Sequence, residues 1–117
     1  MSYKFVDGKE KLSAERIWEF IKNGLSRDVT IKSIKDKIPY EVNSVSNQEI
    51  VFSAATRNSG EPEIIRYLDF ATVISKLKKE TYFNTSSSKE LFKGTRLYRK
   101  RSPFFSLLLS CGVIEKV

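Results

Sequence analysis

The stretch Tyr40-Glu41-Val42-Asn43-Ser44-Val45-Ser46-Asn47-Gln48-Glu49-Ile50-Val51-Phe52-Ser53-Ala54-Ala55 decides the fold. Its two runs, Tyr40 to Val45 and Ile50 to Ala55, follow the period of two that gives a strand one buried face. The mainly polar Ser46-Asn47-Gln48-Glu49 joins them, and so short a connection predicts an antiparallel hairpin. Upstream, Val29-Thr30-Ile31-Lys32-Ser33-Ile34 repeats the alternation before the polar turn Lys35-Asp36-Lys37. Pro39, which lacks an N–H, suits only a strand start or an edge. Downstream, the loop Arg57 to Pro62 leads to Ile64-Ile65-Arg66-Tyr67-Leu68, a fourth strand. The middle of the chain therefore reads as a small curved antiparallel sheet of about four strands.

Helical periodicity flanks this sheet. Ile17, Phe20, Ile21 and Leu25 share one helical stripe after the N-cap Ser13, with Glu15 in the first turn and Gly24, Ser26 and Asp28 at the end. Trp18 falls one position off that stripe, which predicts half-burial at its edge. Phe70, Val73, Ile74 and Leu77 repeat the pattern behind Asp69, read as an N-cap, and Lys76, Lys78 and Lys79 crowd the last turn, where cations suit the helix dipole. Ser87-Ser88-Lys89-Glu90 fits a capping box for a one-turn helix closed by Gly94. Ser102 and Pro103 read as N-cap and N1 of a helix through Cys111, followed by Gly112 and a short strand from Val113 to Val117. The expectation is a single α+β domain over residues 1–117: an N-terminal helix, the sheet, then two or three helices and a terminal strand.

Length and composition agree. A chain of 117 residues has room for one core, and 40% hydrophobic with five Gly and three Pro excludes collagen-like and wholly disordered classes. With no His and one Cys, the usual zinc sites and His-assisted triads are excluded, and no cofactor or metal is implied. Cys111, at the end of an apolar run, reads as a buried reduced thiol, which favours the cytoplasm. The chain start lacks a signal-peptide pattern, and no run reaches the roughly 18 apolar residues of a membrane span, so no membrane is expected. Small size and high Lys content suit a bacterial or phage accessory protein.

Charge is the uneven feature. Residues 76–101 contain nine cations, Lys76, Lys78, Lys79, Lys89, Lys93, Arg96, Arg99, Lys100 and Arg101, against the anions Glu80 and Glu90, and net +7. The other 91 residues balance at 12 and 12. Such a concentration is the footprint of a surface that meets a polyanion, of which nucleic acid, DNA or RNA, is the commonest in a cell. Contacts of this kind address phosphates and carry little sequence information. The candidate site is these nine cations with Tyr98, whose ring can stack on a base or pack inward. A solvated cationic face, an interaction or inhibitor module for an acidic protein partner, and a small His-free ribonuclease using Glu90, Arg96, Tyr98 and Arg99 are the alternatives.

A helix-turn-helix reader is disfavoured. A recognition helix presents polar side chains to base edges, whereas Phe104 to Cys111 offers only Ser106 and Ser110 and belongs in the core. Ser102, Ser106 and Ser110 recur every four residues as a small-residue ridge, suited to close packing against another helix or to a homodimer seam. The loop Arg57-Asn58-Ser59-Gly60-Glu61-Pro62-Glu63 reads as a hairpin turn or as an anion-binding nest beside Arg57. Glu61 and Glu63 read as solvated, and no Gly-rich phosphate loop stands anywhere in the chain.

Overall fold

The computed structural model describes residues 2–26, 30–34, 39–55 and 57–117. In chain order the elements are β1 (Tyr3–Phe5), α1 (Ala14–Ser26), β2 (Ile31–Lys32), β3 (Pro39–Val45), β4 (Glu49–Ser53), β5 (Glu63–Arg66), α2 (Tyr67–Leu77), α3 (Lys89–Phe92), α4 (Arg101–Ser110) and β6 (Ile114–Lys116). Short 3-10 turns occupy Lys9–Lys11, Asn58–Gly60 and Tyr98–Lys100. The architecture is α+β, as the sequence predicts. The expected turn at Lys35-Asp36-Lys37 and the start of the first predicted strand at Val29 lie outside the described residues.

Strands β2, β3, β4 and β5 form one antiparallel sheet in that order. The central hairpin pairs Val45 with Ile50 and Val42 with Phe52, and its register shifts between Val42 and Ser44. A bulge of this kind adds twist and bend, which supplies the curvature. Ser46 builds the turn: its hydroxyl accepts the N–H groups of Gln48 and Glu49 at 3.2 and 3.1 Å. Pro39 opens β3 opposite Lys32, in the position allowed to a residue without an N–H.

Alternation puts Tyr40, Ile50, Phe52 and Ile65 on the buried face. Helices α1 and α2 meet one another through aromatic contacts: Trp18 packs edge-on against Tyr67 and Phe70, with centroids 5.4 and 4.9 Å apart. Trp18 corrects the expectation of half-burial, being 2% exposed. Its position off the stripe gives its indole N–H access to the hairpin, where it donates to the Ser46 carbonyl at 3.0 Å. A buried indole needs such a partner.

Helix α4 is apolar on nearly every side and runs through the interior, as a helix without a polar face must. Phe104 meets Phe70 and Phe92, and Phe105 meets Tyr3, Phe83 and Phe92. Full burial of each ring is worth about 2–3 kcal/mol. The serine ridge corrects another expectation. It faces a strand, since Ser110 Oγ accepts the Lys32 N–H and Ser106 Oγ accepts the Ile34 N–H, both at 3.2 Å. Small hydroxyl side chains let the outer edge of β2 approach α4 and satisfy N–H groups that no further strand covers.

Boundaries also differ. The fourth predicted strand ends at Arg66, because Tyr67 donates its N–H to the Gln48 carbonyl at 2.8 Å and then enters α2. Arg66 is thus the N-cap and Asp69 a first-turn residue, which still meets the positive end of the dipole. Likewise α4 begins at Arg101 behind Lys100, which places Ser102 and Pro103 inside its first turn. Strand β1 was not expected. It pairs antiparallel with β6, Phe5 opposite Ile114, and bridges to Phe83 at Tyr3.

Candidate nucleic-acid interface

The basic segment takes its shape from one buried side chain. After α3, Gly94 adopts φ +80, a left-handed turn that glycine enters without strain. Thr95 then tightens the chain, its hydroxyl donating to the Phe92 carbonyl at 2.7 Å and accepting the Leu97 N–H at 3.2 Å. Leu97 is fully buried. With Leu97 anchored, Arg96 and Arg99 are held in solvent, and the Tyr98–Lys100 turn hands the chain directly to α4.

Two concave surfaces receive these cations. The larger, of about 520 Å³, lies between the outer strand β5 with its preceding loop and the Arg96 to Lys100 segment. Its walls carry Arg57 and Arg66 on one side and Arg96, Arg99 and Lys100 on the other. The smaller, of about 320 Å³, is lined by Lys89, Arg99 and Arg101 with Tyr98 and several hydroxyls. Arg99 belongs to both.

The cations are not equivalent. Arg57 Nε and Nη2 each donate to Glu63 at 3.0 Å, and Nη2 also reaches the Arg99 carbonyl at 3.4 Å. The hydrogen bond to Glu63 pushes the Arg57 guanidinium above its ordinary pKa, outweighing burial, which acts the other way. Glu63 therefore is not the solvated residue expected, since its side chain is 9% exposed. Arg66 has Glu49 at 3.6 Å. Among the described residues Arg96, Arg99 and Lys100 have no carboxylate partner, and Lys100 Nζ lies 3.4 Å from the Arg96 carbonyl.

Arg101 holds the neighbouring loop. Its Nε donates to the Thr85 carbonyl at 3.1 Å, its Nη1 donates to the Tyr98 carbonyl, and its guanidinium sits 4.5 Å over the Tyr98 ring. Tyr98 is thereby half-buried beneath a cation, so the structure realises the inward alternative for this ring.

Of the ten candidate residues, Lys89, Arg96, Tyr98, Arg99, Lys100 and Arg101 line the two surfaces. Lys93 lines neither and pairs with Glu90 at 2.7 Å, which raises its pKa from the ordinary value. Lys76, Lys78 and Lys79 also line neither, and Lys78 donates to the Leu12 carbonyl. They sit at the far end of α2 from Arg66, roughly 15 Å along a helix of that length at 1.5 Å per residue. Sequence reasoning missed Arg66 and gave Arg57 only as the neighbour of an anion-binding nest; their charges vanish in a balanced count because Glu49 and Glu63 accompany them. Glu90 lines neither surface and pairs with Lys93.

Among the described residues no group of three His, Cys, Asp or Glu is placed to hold a metal ion, and no helix is long and apolar enough to cross a membrane. No protein-family model matches the chain, and neither a curated protein nor a solved structure shows significant similarity to it.

Proposed function

We propose that this chain binds nucleic acid through its phosphate backbone and performs no catalysis. One observation carries the reading: Arg96, Arg99 and Lys100, drawn from the stretch that holds the chain's whole net charge, face the same cleft as Arg66 and have no carboxylate partner among the described residues. Arginine suits the task because its planar fork matches two phosphate oxygens at once. Buried Leu97 fixes the backbone that carries these side chains, which reduces the ordering cost of binding. Recognition is of backbone and shape, since the helix that follows is buried and offers no side chains to base edges. A buried, lone thiol suits a reducing compartment such as the cytoplasm.

The test is fluorescence anisotropy with labelled single-stranded and duplex DNA and RNA across a salt series. Affinity should fall with salt, the logarithmic slope growing by about 0.9 per phosphate neutralised on a duplex. Arg96, Arg99 and Lys100 changed together to Ala should weaken binding at least about tenfold and flatten that slope. Lys76 and Lys79 changed to Ala should do little. Unaltered affinity in the triple variant would remove the site, and binding of an acidic protein in place of nucleic acid would replace the proposal. RNA incubated with the protein should stay intact.

A further inference from the structure

We infer that the smaller cavity is a site for a phosphate monoester dianion, the terminal phosphate of a nucleic-acid strand lying in the larger cleft. This rests on the backbone-binding reading and adds an end preference to it. The cavity is lined by Lys89, Arg99 and Arg101, and among the described residues no carboxylate lines it, whereas the larger cleft contains Glu63. Three hydroxyls, Thr85, Ser86 and Ser102, line it as well and make no side-chain hydrogen bond among the described residues.

Three cations and three hydroxyl donors match a group with three terminal oxygens and close to two negative charges better than an internal diester with one. The walls are preorganised. Arg101 is clamped by the Thr85 and Tyr98 carbonyls, and Asn84 Oδ1 accepts the Ser86 and Ser87 N–H groups at 2.8 and 2.7 Å, which fixes the loop that presents the hydroxyls. At about 320 Å³ the cavity is at the small end of ligand sites, too small for a run of nucleotides and adequate for a chain end. Arg99 lines both surfaces and so connects the phosphate in the cavity to the strand in the cleft.

The experiment compares otherwise identical oligonucleotides carrying a 5′-phosphate, a 3′-phosphate or hydroxyls at both ends, with the wild-type chain and with a Lys89→Ala, Ser86→Ala double variant. One phosphorylated strand should bind about tenfold tighter than the hydroxyl strand, and the variant should bind the phosphorylated and hydroxyl strands alike. Equal affinity for all three strands overturns the inference and leaves the backbone reading standing. Failure of every strand to bind overturns both. A preference that survives in the double variant moves the site elsewhere and overturns it here. Should that variant unfold, Lys89→Gln alone serves. As an independent readout, phenyl phosphate should shift the backbone amide resonances of Ser86 and Lys89 at lower concentration than the monoanion phenyl sulfate, and no shift at either amide overturns the assignment.

Discussion

The Arg57 guanidinium grips the Glu63 carboxylate through two hydrogen bonds of 3.0 Å, across the loop that separates β4 from β5. The same guanidinium touches the Arg99 carbonyl, so one pair closes a loop and fastens the basic segment to the sheet. Glu63 contributes its carboxylate to structure, and Arg57 is left to shape the cleft more than to meet a ligand.

Replacing Glu63 by Gln should therefore cost about 2 kcal/mol, the range for a hydrogen-bonded charge left without its partner in a partly buried site. Thermal unfolding followed by circular dichroism should show a loss of several degrees. A variant as stable as the wild type would show the pair to be ornamental.

Ser106 joins α4 to β2 and is fully buried, donating to the Ser102 carbonyl at 2.8 Å while accepting the Ile34 N–H. Ser106→Ala orphans that N–H and should cost about 1–2 kcal/mol. Ser110→Ala, at a more exposed position, should cost under about 1 kcal/mol, and chemical denaturation of both variants measures the ordering. Equal costs would contradict the difference in burial.

Burial pushes the Cys111 thiol up to about 12 from an ordinary 9.0. The unfolded chain releases this proton near pH 9 and the folded chain keeps it, so the unfolded state gains ionisation free energy between the two values. Stability contributed by the neutral thiol is whole below pH 9 and is lost as pH rises toward 12. Comparing wild type with Cys111→Ala over that window isolates the effect from lysines and tyrosines: the wild type should lose stability faster. The folded protein should also resist a disulfide reagent until denaturant is added, and rapid labelling would mean that α4 opens in the native state.

Arg101→Ala separates structure from binding. Because Arg101 bonds the Thr85 and Tyr98 carbonyls and covers the Tyr98 ring, its removal should lower the melting temperature measurably, whereas Arg96→Ala, on an exposed side chain, should leave it within about one degree. Differential scanning fluorimetry reads both.

The hairpin from Tyr40 to Val45 and from Ile50 was legible because alternation with a short polar connection leaves one register that buries Tyr40, Ile50 and Phe52 together. The buried α4 was legible because a helix with Phe and Leu on every side has nowhere else to go. Strand β1 was hidden because its three residues pair only with partners 80 or more positions away. The role of the serine ridge was hidden for the same reason, since spacing by four reveals a smooth helix face and says nothing of what lies on it.

The candidate site divides along this line. Composition alone located the surplus charge in residues 76–101, and local chemistry at Gly94, Thr95 and Leu97 oriented part of it. Folding sorted the rest: α2 carried Lys76, Lys78 and Lys79 away along its axis, Glu90 took Lys93, and β5 brought in Arg66 from a stretch with no net charge. Charge is additive along a chain and can be counted from sequence, but an electrostatic surface depends on distance, which long-range packing sets.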